Sequence, residues 1–153
     1  MKLAEALIER MELQRQNSEL VDEIMDNVHL PDCDEPTIVP EELIRRYDAN
    51  MTRLNELVRR INKTNCFTEV SNGRTLADAI AKRDCLISRI AEYSYSCFLL
   101  APFLLRSEKK EKVKYVRHAD LKTLKRKLSH LSQELRKLDT AIQAKNWSVE
   151  LLE

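Results

Sequence analysis

An all-α protein built from long antiparallel helices is the fold class this sequence predicts, and three observations predict it. Leucine or isoleucine recurs at Leu121, Leu124, Leu128, Leu131, Leu135, Leu138 and Ile142. Those alternating steps of three and four lay one apolar seam along a helix. Charged residues make up 33% of the 153 positions, and Gly73 is the single glycine. So little backbone freedom does not suit the many tight turns of a sheet protein. The helices are expected to pack as a four-helix bundle or as coiled-coil hairpins, with a small β ribbon at one end, in one domain covering residues 1–153.

The first helix is expected over 3–26, where Leu3, Ala6, Arg10, Leu13, Asn17, Leu20 and Ile24 share a seam broken by two polar residues. Pro31 and Pro36, with Asp32, Asp34 and Glu35, then mark an acidic loop. Pro40 suits the first position of a helix over 40–66, and Glu41 and Glu42 suit the positive end of its dipole. Its seam is Leu43, Tyr47, Asn50, Leu54, Leu57 and Ile61. Asn72-Gly73 signals a turn, and Thr75 with Asp78 three residues on forms a capping box for a helix over 75–100. Leu76, Ile80, Arg83, Ile87 and Ile90 carry its pattern, and Pro102 is expected to bend or end it near Leu100. Residues 113–117 form a β-like stretch able to pair with residues 37–39, and Asp120 caps a last helix over 120–146.

Charge and cysteine content narrow the class. Residues 1–50 carry 13 Asp or Glu against 5 Lys or Arg, whereas residues 106–127 carry 10 basic residues against 3 acidic. The net charge is +1, so the two regions can neutralise each other within one molecule. Cys33, Cys66, Cys85 and Cys97 form no C-x-x-C pair, which points to reduced thiols and a cytoplasmic setting. Glu5, Glu9 and Arg10 interrupt the apolar start and exclude a signal-peptide core there. The most apolar run, residues 97–105, is far shorter than the roughly 20 residues a spanning helix needs.

Four polar signatures occur in order: the decapeptide 1–10, Arg60-Ile61-Asn62-Lys63-Thr64-Asn65, Asn72-Gly73-Arg74-Thr75-Leu76 through Arg83-Asp84, and Leu138-Asp139-Thr140 with Asn146-Trp147. Together they resemble a family of small bacterial helical proteins labelled septicolysin-like, over nearly the whole chain. The resemblance implies a bacterial helical protein assigned to a domain of unknown function. Its name implies a pore-forming cytolysin. The chain departs from that pattern beyond Ile90, where residues 98–105 are strongly apolar.

An antiparallel arrangement gathers Glu5, Glu9, Asn62, Asn65, Arg74, Asp78, Arg83, Asp84 and Trp147 at one end. Such a cluster suits a small polar ligand or phosphate, or a hydrogen-bonded network that sets helix register. The network is favoured, because no nucleophile stands with a base. A di-iron bundle needs two Glu-x-x-His motifs, and the chain offers only Asp26-x-x-His29. His29, Cys33 and His118 make a poor zinc set, so neither metal nor cofactor is expected. Tyr115 is the only aromatic in the basic segment 106–127, which disfavours nucleic acid. Tyr93, Phe98, Phe103 and Leu104 form a candidate oligomer surface, with membrane insertion the less favoured use of the same apolar run. The sequence therefore predicts a non-enzymatic cytoplasmic helical protein acting through protein interaction or self-assembly, with homo-oligomerisation its first expected contact. The alternatives are a cytolysin-like membrane-active protein and a small polar ligand or phosphate binder.

Overall fold

The computed structural model describes residues 1–31, 37–71, 73–106 and 120–153, with side chains of 100–106 outside the description. Four helices are present among these residues: α1 (Leu3–Val28), α2 (Pro40–Phe67), α3 (Leu76–Arg106) and α4 (Leu121–Ser148). Strands β1 (Glu69–Ser71) and β2 (Arg74–Thr75) form a two-stranded ribbon between α2 and α3. The fold is all-α with that small ribbon. The chain divides into two compact units, one of residues 1–69 and 144–153, the other of residues 70–143.

In the first unit α1 and α2 run antiparallel. Arg53 Nε on α2 donates to Glu9 Oε1 on α1 at 2.9 Å, and Asn17 Nδ2 donates to Met51 Sδ at 3.3 Å. Both seams lie inside as their spacing requires: Leu3, Ala6, Asn17 and Leu20 are buried on α1, and Leu43, Leu57 and Ile61 on α2. Burying each such leucine contributes about 1.5–3 kcal/mol relative to leaving it in water. The polar seam positions are less comfortable. Arg10 Nε and Asn17 Oδ1 are buried without a hydrogen-bond partner among the described residues.

In the second unit α3 and α4 also run antiparallel. Lys82 Nζ lies 2.6 Å from Glu134 Oε1, and Lys127 Nζ sits 4.9 Å from the centre of the Tyr93 ring. Leu131 and Ile142 are the buried members of the α4 seam, and its other leucines are half-buried.

The α3 seam corrects the sequence reading. Leu76, Ala79 and Leu86 are buried, whereas Ile80 is half-buried and Ile87 is 48% exposed. At those two turns the buried stripe passes one position earlier, through Ala79 and Leu86; steps of three and of four from Leu76 and Arg83 reach either set, so spacing alone did not separate them. Helix α3 also continues through Pro102 to Arg106 rather than ending near Leu100. A proline removes one intrahelical hydrogen bond without unwinding every residue beyond it.

The ribbon's two strands flank the turn residue Gly73, and residues 37–39 form no strand. Their expected partner segment, 113–117, lies outside the described residues. Gly73 has φ +73°, a left-handed conformation that favours glycine, which explains why the single glycine stands at this turn.

Local capping fixes the helix starts. Glu5 Oε2 accepts the Lys2 amide at 2.7 Å, Pro40 opens α2, and Asp120 accepts from the amides of Lys122 and Thr123 at 3.0 and 3.2 Å. At α3, Asp78 Oδ2 accepts the Thr75 amide at 2.9 Å while Thr75 Oγ1 accepts the Asp78 amide at 3.2 Å. This is the reciprocal box expected from the sequence.

Candidate functional site

A groove of about 560 Å³ opens in the second unit, where the first turns of α3 face the last turns of α4 beside the ribbon. Helical spacing builds its walls. Asp78, Ala79 and Lys82 come from one face of α3, and Glu134, Lys137, Leu138 and Ala141 from one face of α4. Val70, Ser71 and Arg74 supply the ribbon side. The lining therefore joins small and apolar side chains to a charged rim.

Both carboxylates of the rim are committed. Asp78 is held below the usual carboxylate range by the Thr75 amide and hydroxyl hydrogen bonds, with the Arg74 charge adding to the effect. Glu134 is held down first by its hydrogen bond to Lys82, and then by the surrounding positive charges of Lys82, His130 and Arg89. Arg74 and Lys137 form no ion pair among the described residues. Lys82 is engaged with Glu134 in a pair whose side chains are 44% and 34% exposed, so the contact is open to competition from solvent or solute. Among the described lining residues there is no histidine, and Ser71 carries a hydroxyl. The arrangement suits binding of charge.

Glu5 caps α1 and Glu9 pairs with Arg53. Asn62 is exposed, Asn65 half-buried and Trp147 58% exposed. Arg74 and Asp78 line the groove, and Arg83 pairs with its neighbour Asp84 at 2.8 Å. Of the expected oligomer surface, Tyr93 lies over Lys127, Phe98 is 70% exposed, and the side chains of Phe103 and Leu104 lie outside the described residues. Cys33 and His118, two members of the weak zinc set, are also outside them.

The sequence reading missed the polar clasp on the C-terminal segment of the first unit. Leu3 N donates to Val149 O and Leu151 N to Met1 O, both at 2.9 Å, in an antiparallel bridge between Lys2 and Glu150. Lys2 Nζ lies 2.7 Å from Glu150 Oε1, and Arg60 Nε donates to the Leu152 carbonyl at 3.0 Å. Thr64 Oγ1 accepts the Leu152 amide at 2.9 Å, beneath complete burial of Thr64. One signal was available: Thr64 follows Leu57 and Ile61 at seam spacing, which marks it as inward-facing. Lys137 and Lys82 of the groove carried no such signal, because their spacing matches any solvated helix face.

Paired amphipathic helices with capped ends and a groove of mixed charge define a helical protein without a recognisable catalytic constellation among the described residues. Residues 10–151 match a family of unknown function, DUF6847, and the chain belongs to that family. A solved structure of a functionally unknown conserved protein from Corynebacterium diphtheriae is similar to it at 40% identity, covering 99% of both chains with a TM-score of 0.91. No curated protein matches. The family match brings no activity with it and does not indicate a septicolysin-like protein. Among the described residues no helix is long and apolar enough to cross a membrane.

Proposed function

We propose that this protein is a non-enzymatic cytoplasmic scaffold that self-associates through the outer face of α3. The observation that carries the reading is the exposure of Tyr95, Phe98 and Leu99 at 58%, 70% and 45% on one short stretch of that helix. Water contact with so much clustered apolar surface is unfavourable, and burial against a second copy removes it. Tyr93 stands apart from this face, since its ring is taken by Lys127.

Sedimentation of the full chain across a concentration series tests the reading, with Phe98→Glu as the variant. A stable oligomer that Phe98→Glu weakens supports it; a monomer at all concentrations overturns it. Liposome leakage measured on the same samples separates the septicolysin-like reading, in which lipid covers that face. Release of contents by the parent, lost in Phe98→Glu, would replace the scaffold with a membrane-active protein.

A further inference from the structure

We propose that the groove between α3, α4 and the ribbon binds a small amphipathic organic anion, with its charged head on Arg74 and Lys137 and its apolar part along Ala79, Leu138 and Ala141. This inference goes beyond self-association and stands on a different surface from Phe98.

The sign of the ligand follows from the rim. Arg74, Lys82 and Lys137 contribute three positive charges against the two negative charges of Asp78 and Glu134. Asp78 already serves the helix cap and Glu134 already serves Lys82, so neither carboxylate is poised to receive a cation. Arg74 and Lys137 have no ion-pair partner among the described residues and are the groups available to an incoming anion. A guanidinium presents a planar fork of donors to a carboxylate or phosphate, and an ammonium adds a second point of charge.

The size and the apolar requirement follow from the floor. Ala79 and Ala141 are small residues on facing helices, and they leave room that larger side chains would fill. A volume of about 560 Å³ lies within the roughly 300–1,000 Å³ of small-molecule sites. Bare phosphate would leave that apolar floor in water, whereas an attached alkyl chain covers it. The Lys82–Glu134 pair borders the same space and is partly exposed, so an anionic head can draw Lys82 toward itself without breaking a buried contact.

Titration of the ¹⁵N-labelled full chain with hexyl phosphate, hexanoate, hexyl glucoside and inorganic phosphate tests the proposal by amide chemical shifts. Saturable shifts confined to residues 70–82 and 134–141 are expected with hexyl phosphate or hexanoate, and which head binds more tightly identifies phosphate or carboxylate as the source of the charge. Affinity for hexyl glucoside and for inorganic phosphate should be at least about tenfold weaker, a difference of about 1.4 kcal/mol. Arg74→Gln with Lys137→Gln should weaken hexyl phosphate binding by a similar factor while the circular dichroism spectrum stays unchanged. Lys137→Gln alone, an exposed single change, provides the second variant if the double variant is poorly folded. Absence of saturable shifts with either amphipathic anion overturns the proposal. So does affinity that is unchanged in Lys137→Gln, or equal for inorganic phosphate and hexyl phosphate. Sedimentation of the same samples reports self-association separately, so failure of one reading leaves the other standing.

Discussion

Thr64 and Leu152, 88 positions apart, are joined by a 2.9 Å hydrogen bond in which the Leu152 amide donates to the Thr64 hydroxyl oxygen. The same oxygen donates its own hydrogen to the Arg60 carbonyl at 2.8 Å. One buried hydroxyl thus ends a turn of α2 and holds the chain beyond α4. Thr64→Val keeps the shape and removes both bonds, so a loss of about 1 kcal/mol is expected. Amide exchange at Leu152 should accelerate with it. An unfolding midpoint and a Leu152 exchange rate both equal to the parent's would show that the clasp contributes nothing.

Leu131 is 4% exposed, whereas Leu128, one heptad step earlier, is half-buried. Leu131→Ala should therefore cost roughly 2–5 kcal/mol, and Leu128→Ala clearly less. Denaturant melts of the two variants give the comparison directly. Equal losses would mean that the α4 seam is uniformly packed, contrary to the observed burial.

At the ribbon turn, a Cβ added to Gly73 would meet nothing within 4 Å, yet its backbone has φ +73°. Only conformational strain then opposes Gly73→Ala, and a destabilisation of about 1–2 kcal/mol is expected. Gly73→Asn should cost less, because asparagine visits the left-handed region more readily. Indistinguishable melting of Ala and Asn variants would count against this account.

Acid should weaken the fold. Asp120 is held below the usual carboxylate range by the Thr123 hydroxyl and the Lys122 amide, Glu150 by Lys2, and Glu134 by Lys82. Glu12 falls from an ordinary 4.5 to about 2, chiefly through its hydrogen bond to Arg15 and then that to Gln16. A carboxyl depressed in the folded state binds protons less readily than its unfolded counterpart. Its stabilisation is complete above the unfolded value and is lost as pH falls through the folded one. The thermal midpoint should hold between pH 6 and 7 and decline below about pH 4.5. A carbon-detected titration that places Glu12 at 4.5, or a midpoint constant down to pH 3, contradicts this.

Much of the fold is legible along the chain because helices are governed by near neighbours. Every seam position named on α1 and α2 is buried or half-buried, and Thr75 with Asp78 forms the box that two residue types three apart imply. On α3 the seam was read one residue late at two turns, Ile80 and Ile87 being named where Ala79 and Leu86 are the buried residues, since steps of three and four from Leu76 and Arg83 fit both sets.

The amino-acid sequence by itself determined four amphipathic helices, the starts of α2, α3 and α4 and the glycine turn, all set by hydrogen bonds and side-chain spacing within a few residues. Only the tertiary structure decided that Lys82 meets Glu134, that Lys137 shares a groove with Arg74, and that Thr64 receives the Leu152 amide. Those contacts join residues from 52 to 88 positions apart, and a charged side chain on a helix carries no local mark of its distant partner. Which carboxylates are engaged and which cations remain available depends on the path of the chain through space, and with it the chemistry open to the groove.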